Sequence, residues 1–305
     1  MAFLMLGCGN PGKDSGSTGP FLLVLGVAQD GGFPQAGCGK SCCIRAWQDL
    51  KAGSLVSSLA IVDPAGSRSW LIDATPDFPE QLHRLRQLGP VAAPVALEGI
   101  FLTHAHTGHY TGLMHLGREA IGSSGVAVYA MPRMQEFLRT NGPWDQLVRL
   151  ENISLQPLAA EKAVRLGAGV SITPLLVPHR DEYSETVGYR IRGPERSALY
   201  IPDIDKWERW EVSLEGLIQE VDVAFLDGTF YSGDEMPGRD LSEIPHPLIR
   251  ETVMMLEGLP EAEKAKVRFI HLNHTNPAWI PGSDARRFIE GNGFRVAAEL
   301  ERIPL

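Results

Sequence analysis

The stretch LTHAHTGHYTGL, residues 102–113, carries three of the chain's nine histidines, His104, His106 and His109. On an extended backbone residues two apart project to the same side, so His104 and His106 can reach one metal ion while His109 reaches past it. The apolar GIFLT ahead of the run reads as a buried strand, and YTGLMHLGREAIG behind it has helical spacing. The histidines therefore stand at the C-terminal end of a strand, where α/β folds gather their ligand sites. Neutral imidazole is the commonest nitrogen donor to metals, which makes a metal centre a better reading of this run than a polar turn.

Short β-type runs recur along the rest of the chain, as FLLVLGVA, SSLAIVD, SWLIDAT, LEGIFLT, VAVYAM, VSITPLLV, VGYRIRG, SALYIPD, VDVAFLDG, VRFIHLN and FRVAAELE. Helical spacing appears in FPEQLHRLRQLG, in the segment after His109, in MPRMQEFLRTNG, in HPLIRETVMMLEG and in SDARRFIEGNG. Two packed sheets with helices outside would use this inventory. The early strands come as hairpins, the pattern nearly repeats in the second half, and no linker-like break divides residues 21–305, which are expected to form one α/β domain. At 305 residues with 44% hydrophobic content the chain can bury a sizeable core. Its net charge is -9 and its basic residues are scattered, which argues against nucleic acid as a partner. No apolar run approaches the roughly 20 residues needed to span a bilayer.

Residues 1–20 stand apart. MAFLMLGCGNPGKDSGSTGP is apolar up to Leu6-Gly7-Cys8 and then becomes a Gly/Ser/Pro-rich tether, an order that resembles a bacterial lipoprotein signal cut before a lipidated cysteine. The apolar part is only six residues long and lacks a basic n-region, too short to direct export as written. A longer precursor would put the protein in the cell envelope, held to the membrane only through a lipid anchor on Cys8. Without one the expectation is a cytoplasmic protein.

The order strand, HAHTGH, helix, then Pro178-His179, Pro202-Asp203 after a strand, and Phe269-Ile270-His271 resembles the metallo-β-lactamase fold, an αββα four-layer sandwich with metals between its sheet edges. A closer likeness covers nearly the whole chain. GGFPQAGC, SSLAIVD, LIDATPDFPEQL, LTHAHTGHYTGL, LDGTFYSGDEM and FIHLNHTNP resemble, in order, blocks of the coenzyme PQQ biosynthesis protein B (PqqB-like) family within that fold. The resemblance implies that His104, His106 and His179 hold a first metal, that His109 and His271 hold a second, and that Asp203 bridges both. The aspartate that the fold usually carries just before the third motif histidine is Gly108 here. The second site is therefore expected to be a ligand short, and Gly108→Asp to raise metal occupancy. In the PqqB-like family the first two motif histidines are generally absent and the aspartate-histidine pair is kept; this chain inverts that pattern.

Cys38, Cys42 and Cys43 crowd one Gly-rich loop, and such soft donors suit structural zinc. Similar proteins use three cysteines from this loop and a distant histidine, which falls here on His246 in SEIPHPLIRE. The family's Cys-x-Cys-x-x-Cys is altered, with Lys40 at the middle position and Cys42 extra. Free buried thiols, or a disulfide from Cys38 in an exported chain, are the alternatives. His274 and Asp205 lie close in sequence to the ligands and are the candidate bases, should one be needed. Arg118, on the helix behind the motif, can clamp a carboxylate or phosphate or pair at the surface with Glu119. Asp227 in FLDGTF reads as a strand-end turn.

Three functions use these parts. One is a metallo-hydrolase acting on an ester, phosphodiester, lactam or lactone through metal-bound hydroxide. Another, implied by the family resemblance, is an oxygenase whose single ferrous ion hydroxylates a tyrosine-derived PQQ precursor. The third is a non-enzymatic carrier of PQQ or its precursor, for which the missing aspartate at position 108 speaks. Zinc is the expected active-site metal, with iron as the alternative, and a second, structural zinc is expected on the cysteines. The substrate is expected to be a small molecule or peptide-derived.

Overall fold

A computed structural model describes residues 19–88 and 95–305. The tether expected over residues 1–20, with Cys8, lies outside the described residues except for Gly19 and Pro20. Pro20 is buried and its carbonyl accepts a hydrogen bond from Leu305 N at 2.9 Å, so that residue belongs to the fold rather than to a tether.

Near-continuous apolar runs give strands buried on both faces. β1 (Phe21–Gly26), β2 (Ser58–Asp63), β3 (Arg68–Ile72), β4 (Ala96–Phe101), β5 (Val126–Ala130) and β6 (Ile153–Pro157) lie side by side in chain order. The second sheet runs β7 (Val164–Gly167), β8 (Val170–Leu176), β9 (Val187–Arg192), β10 (Ser197–Ile201), β11 (Val223–Asp227), β12 (Val267–Ile270) and β13 (Arg295–Val296), and β14 (Arg302–Pro304) returns to flank β1. Pairing is antiparallel from β1 to β3 and parallel from β3 to β6. It is likewise antiparallel from β8 to β10 and parallel from β10 to β13, so one topology occurs twice.

The period of two along a strand assigns the layers. Leu22, Val24, Leu59 and Ile61 face Tyr189, Ile191, Ala198 and Tyr200 between the sheets. Leu23, Leu25, Ala60 and Val62 pack instead with Phe78, Leu85, Met134 and Leu138 from the helices Phe78–Arg86 and Pro132–Thr140. Leu214–Gln219, Ile249–Met255 and Asp284–Gly291 bring Leu217, Val253 and Ile289 onto the second sheet. The result is the expected αββα sandwich. Among the described residues no helix is long and apolar enough to cross a membrane.

The segment after His109 departs from the helix that its spacing predicts. A single turn, Thr107–Tyr110, gives way to a 3-10 turn over Thr111–Leu116. Gly112 N donates to Ala74 O at 2.9 Å, and a Cβ at that glycine would lie 2.2 Å from Thr75 O, so the chain is pressed onto the loop after β3 there.

Candidate metal centre

Strands from both halves deliver their C-terminal ends to one edge of the sandwich. β4 leads into Leu102, Thr103 and His104, and the second half pins that segment. Tyr189 Oη donates to Leu102 O at 2.5 Å, Val187 N to Thr103 O at 3.1 Å, and Ala105 N to Ser184 Oγ at 2.9 Å. β3 leads to Asp73, β10 leads to Asp203, β11 ends on Asp227 and β12 leads to His271. Asp73 and His271 hold φ of 68° and 64°. Non-glycine residues occupy that left-handed region at a cost of about 1–3 kcal/mol, and here both are locked by buried hydrogen bonds.

Two donor sets meet at Asp203, each with its ligand atoms within 4.8 Å of one another, and His271 also falls in a third group with Asp227 and His246. In the first, His104 Nε2 lies 2.9 Å from His106 Nδ1 and 3.3 Å from Asp203 Oδ2. His179 Nε2 lies 3.3 Å from His106 Nδ1 and 3.3 Å from Asp203 Oδ1. In the second, Asp30 Oδ1 lies 3.1 Å from His109 Nε2 and 3.2 Å from His271 Nε2, with Asp203 Oδ2 3.7 Å from His109 Nε2. Asp203 belongs to both sets.

The hydrogen-bond network assigns the ring protons. Thr103 Oγ1 donates its one hydrogen to Asp73, so it accepts from His104 Nδ1 at 3.0 Å, while His109 Nδ1 donates to Asp73 Oδ2 at 2.7 Å. In the other half Thr229 Oγ1 donates to Asp227 Oδ1 at 2.7 Å and accepts from His271 Nδ1 at 3.0 Å. His106 Nε2 donates to Glu182 Oε2 at 3.3 Å. The remaining ring nitrogens then turn lone pairs towards one another and towards Asp30 and Asp203. Such atoms repel at these distances unless a cation lies among them or the rings take second protons. Ligands at about 2.1 Å in a tetrahedral array stand roughly 3.4 Å apart, close to the spacings here. Asp203 Oδ1 is buried and accepts no well-aligned hydrogen bond. The residues fit a divalent ion.

The charges within the cluster follow from its neighbours. Burial and the neighbouring charge of His109 hold His104 well below the usual histidine range. Burial also opposes charge on His109, but Asp73 and Asp30 outweigh it and raise its pKa well above that range. Burial would raise Asp203 and Asp30 as well. The facing imidazoles win, principally His179 and His246 for Asp203 and His109 and His271 for Asp30, and keep both carboxylates ionised well below the usual range.

Four expectations are corrected. His246 does not join the cysteines: its Nδ1 donates to Asp227 Oδ2 at 2.9 Å and lies 3.2 Å from Asp203 Oδ1. Burial opposes its charge, yet Asp227 and Asp203 raise its pKa to about 9. A bridge between Phe230 and Leu248 draws the SEIPHPLIRE segment to the end of β11, which is why His246 faces the centre. His274 is not a base at the centre but completes the sulfur cluster, with Nδ1 3.3 Å from Cys43 Sγ and 3.6 Å from Cys42 Sγ. Cys38 and Cys42 are 3.7 Å apart and Cys42 and Cys43 4.0 Å, near the roughly 3.8 Å of sulfurs sharing a tetrahedral zinc. All three cysteines are free of disulfides. The carboxylate of Asp205 is engaged by Arg209 and by Lys206 N, leaving no free base there. Arg118 is 63% exposed and pairs with Glu119 at 2.9 Å on the surface, away from any clamp on substrate.

The missing ligand is also accounted for differently. A Cβ on Gly108 would lie 2.4 Å from Asp30 Oδ1 and 2.7 Å from Asp30 Cα, so the carboxylate of Asp30 occupies the room that a side chain at 108 would need. Gly108→Asp cannot simply add a donor. Asp30 is the lone acidic residue between β1 and the cysteines, a signal the sequence holds. Asp73, Thr103 and Thr229 carry no comparable signal, and Asp227 is more than the turn residue it resembles.

Comparison with known proteins adds the family. A model described as the beta-lactamase superfamily domain matches residues 68–272. Coenzyme PQQ synthesis protein B of Xanthomonas axonopodis pv. citri is 28% identical over 298 residues, covering 90% of this chain and 97% of that protein. The protein of the same name from Ruegeria pomeroyi is 29% identical over 304 residues, with the same 90% and 97% coverage. The crystal structure of zinc-bound PqqB from Methylobacterium extorquens superposes with a TM-score of 0.78 at 25% identity, covering 93% of this chain and all of that one. A diphosphatase of the PhnP family shares the fold, with a TM-score of 0.66 at 22% identity over 94% of this chain and 98% of that one. The chain belongs to the beta-lactamase superfamily, as a metallo-β-lactamase fold protein that resembles PQQ synthesis protein B.

Proposed function

We propose that this chain is a metal-dependent hydrolase that cleaves an ester-class bond, whether carboxylic ester, lactone, lactam or phosphodiester, in a small-molecule or peptide-derived substrate. The observation that carries the reading is the Asp203 carboxylate standing between the two donor sets. Divalent ions bound there would supply Lewis acidity and lower the pKa of a water towards roughly 7. His104, His106 and His179 would hold one ion and Asp30, His109 and His271 the other, with Asp203 shared. Asp73, Thr103, Asp227 and Thr229 keep the rings in the tautomers that binding requires. His246 is oriented by Asp227, whose Oδ2 accepts from its Nδ1 at 2.9 Å. Its Nε2 makes no hydrogen bond among the described residues, and we assign that atom to protonating the leaving group.

A second reading has its own support. Asp30, His109 and His271 form the two-histidine, one-carboxylate donor set that suits ferrous iron, and the resemblance to PQQ synthesis protein B spans 97% of those proteins. In that case Asp30, His109 and His271 would hold iron, and the chemistry it would supply is hydroxylation of a tyrosine-derived PQQ precursor by dioxygen with two electrons from an external reductant. The carrier reading depends on a missing carboxylate, and Asp30 removes that support. Bis(4-nitrophenyl) phosphate and 4-nitrophenyl acetate, offered to the zinc-loaded protein in air and under nitrogen beside Asp203→Asn, separate the two. Hydrolysis in both atmospheres, lost about 100-fold or more in Asp203→Asn, is expected of the hydrolase. No hydrolysis with zinc, and oxygen uptake by the iron-loaded protein with a peptidyl-tyrosine substrate, would overturn it.

A further inference from the structure

We infer that Asp30, delivered by the loop after β1, is the terminal carboxylate ligand of the ion between His109 and His271, and that Gly108 is the space that admits it. The inference rests on the reading above that this donor set holds an ion. Asp30 Oδ1 is nearly equidistant from the two Nε2 atoms, at 3.1 and 3.2 Å, and each ring is turned so that Nε2 faces Asp30 because Asp73 and Thr229 accept the hydrogen bonds from Nδ1.

The loop is built to hold the carboxylate there. Gln29 N donates to Leu272 O and Leu272 N to Val27 O, at 2.9 and 2.8 Å, so the backbone leading to Asp30 is laced to the strand end that carries His271. Asn273 Nδ2 donates to Gln29 Oε1 at 3.1 Å and steadies the same junction. Asp30 is therefore not a surface carboxylate that drifts against the site.

Gly108 is required for room, not for conformation. Its φ is not among the positive ones, so another residue could adopt its backbone geometry. Yet an added Cβ would meet Asp30 at Oδ1, Cγ and Cα, at 2.4, 2.6 and 2.7 Å, and the last of these is backbone held by the lacing just described. A carboxylate can thus reach this ion from position 30 or from position 108, but the two side chains exclude each other. A chain with glycine at 108 needs the acid at 30.

The test counts zinc ions by native mass spectrometry and measures their affinities by chelator competition. It compares wild type, Asp30→Gly, Asp30→Asn, Gly108→Ala and the exchange variant Asp30→Gly/Gly108→Asp, with far-UV circular dichroism to check each fold. Both Asp30 variants should lose the ion of this set, weakening its binding beyond the roughly 10–100-fold that loss of an outer partner brings, while the first set and the cysteines keep theirs. Gly108→Ala should show the same loss although it removes no donor, and the exchange variant should regain the ion. Retention of both central ions by Asp30→Gly and Asp30→Asn would overturn this inference alone, as would an exchange variant still one ion short. A wild type with a single central ion would overturn it together with the reading on which it rests.

Discussion

His274 Nδ1 lies 3.3 Å from Cys43 Sγ although 231 residues separate them in the chain. With Cys38 and Cys42 the pair ties the first loop to the segment beyond β12, beside the centre. A cross-link closing so long a loop contributes about 2–4 kcal/mol. At roughly 2 °C per kcal/mol for a chain of this size, Cys43→Ala or His274→Ala should lower Tm by about 4–8 °C and remove one zinc ion. Differential scanning calorimetry with zinc analysis checks it. An unchanged transition with unchanged zinc would refute the structural role.

The same cluster should bind zinc more tightly as pH rises. Burial raises Cys42 and Cys43, the latter to about 12, so both thiols must release protons when they bind metal. Chelator competition at pH 6 and pH 8 should give the tighter constant at pH 8. Equal constants would mean that the thiols do not ligate.

Asp73 touches no ion in this arrangement, yet it accepts the hydrogen bond from His109 Nδ1 and orients Thr103. Asp73→Asn should weaken metal binding at the centre about 10–100-fold while leaving the cysteine zinc in place. Arg118→Ala is the contrast. As an exposed residue it should shift stability by no more than about 0.5 kcal/mol and leave metal content alone. Comparable losses in the two variants would indicate a general effect of substitution.

His246 sets a pH dependence whose sign follows from its raised pKa. The folded value of about 9 exceeds the roughly 6.5 of an unfolded histidine, so the protonated ring favours the folded state. The contribution, at most about 3 kcal/mol, is fully present below about pH 6.5 and is lost as pH rises through about 9. In chelator-treated protein Tm should fall across that window, and His246→Gln should flatten the fall. A variant that keeps the wild-type slope would assign it to other groups.

The sandwich was legible because its central strands are apolar on both faces, and each of them has a run that can be recognised. β6, β7 and β14 have none, since all three lie at sheet edges where ISLQP, VRLG and RIP need only partial burial. At the site, His104, His106 and His109 could be named from their spacing, and His179, Asp203 and His271 from the resemblance of their order to the metallo-β-lactamase fold. Which histidine serves which cluster could not. His274 follows His271 by three residues and His246 belongs to a separate segment, and only the bridge from Phe230 to Leu248 and the lacing at Leu272 decide where each ring ends up. Asp30 was hidden for a similar reason, because its partners are 79 and 241 residues away.

Elemental analysis of wild type and Asp203→Asn, each purified without added metal, decides whether the shared carboxylate organises a metal centre. The expected result is zinc in both central sets and on the cysteines of wild type, with the central ions lost from Asp203→Asn and the cysteine zinc retained. Metal confined to the cysteines in wild type, or a content that Asp203→Asn leaves unchanged, would contradict a centre built around Asp203.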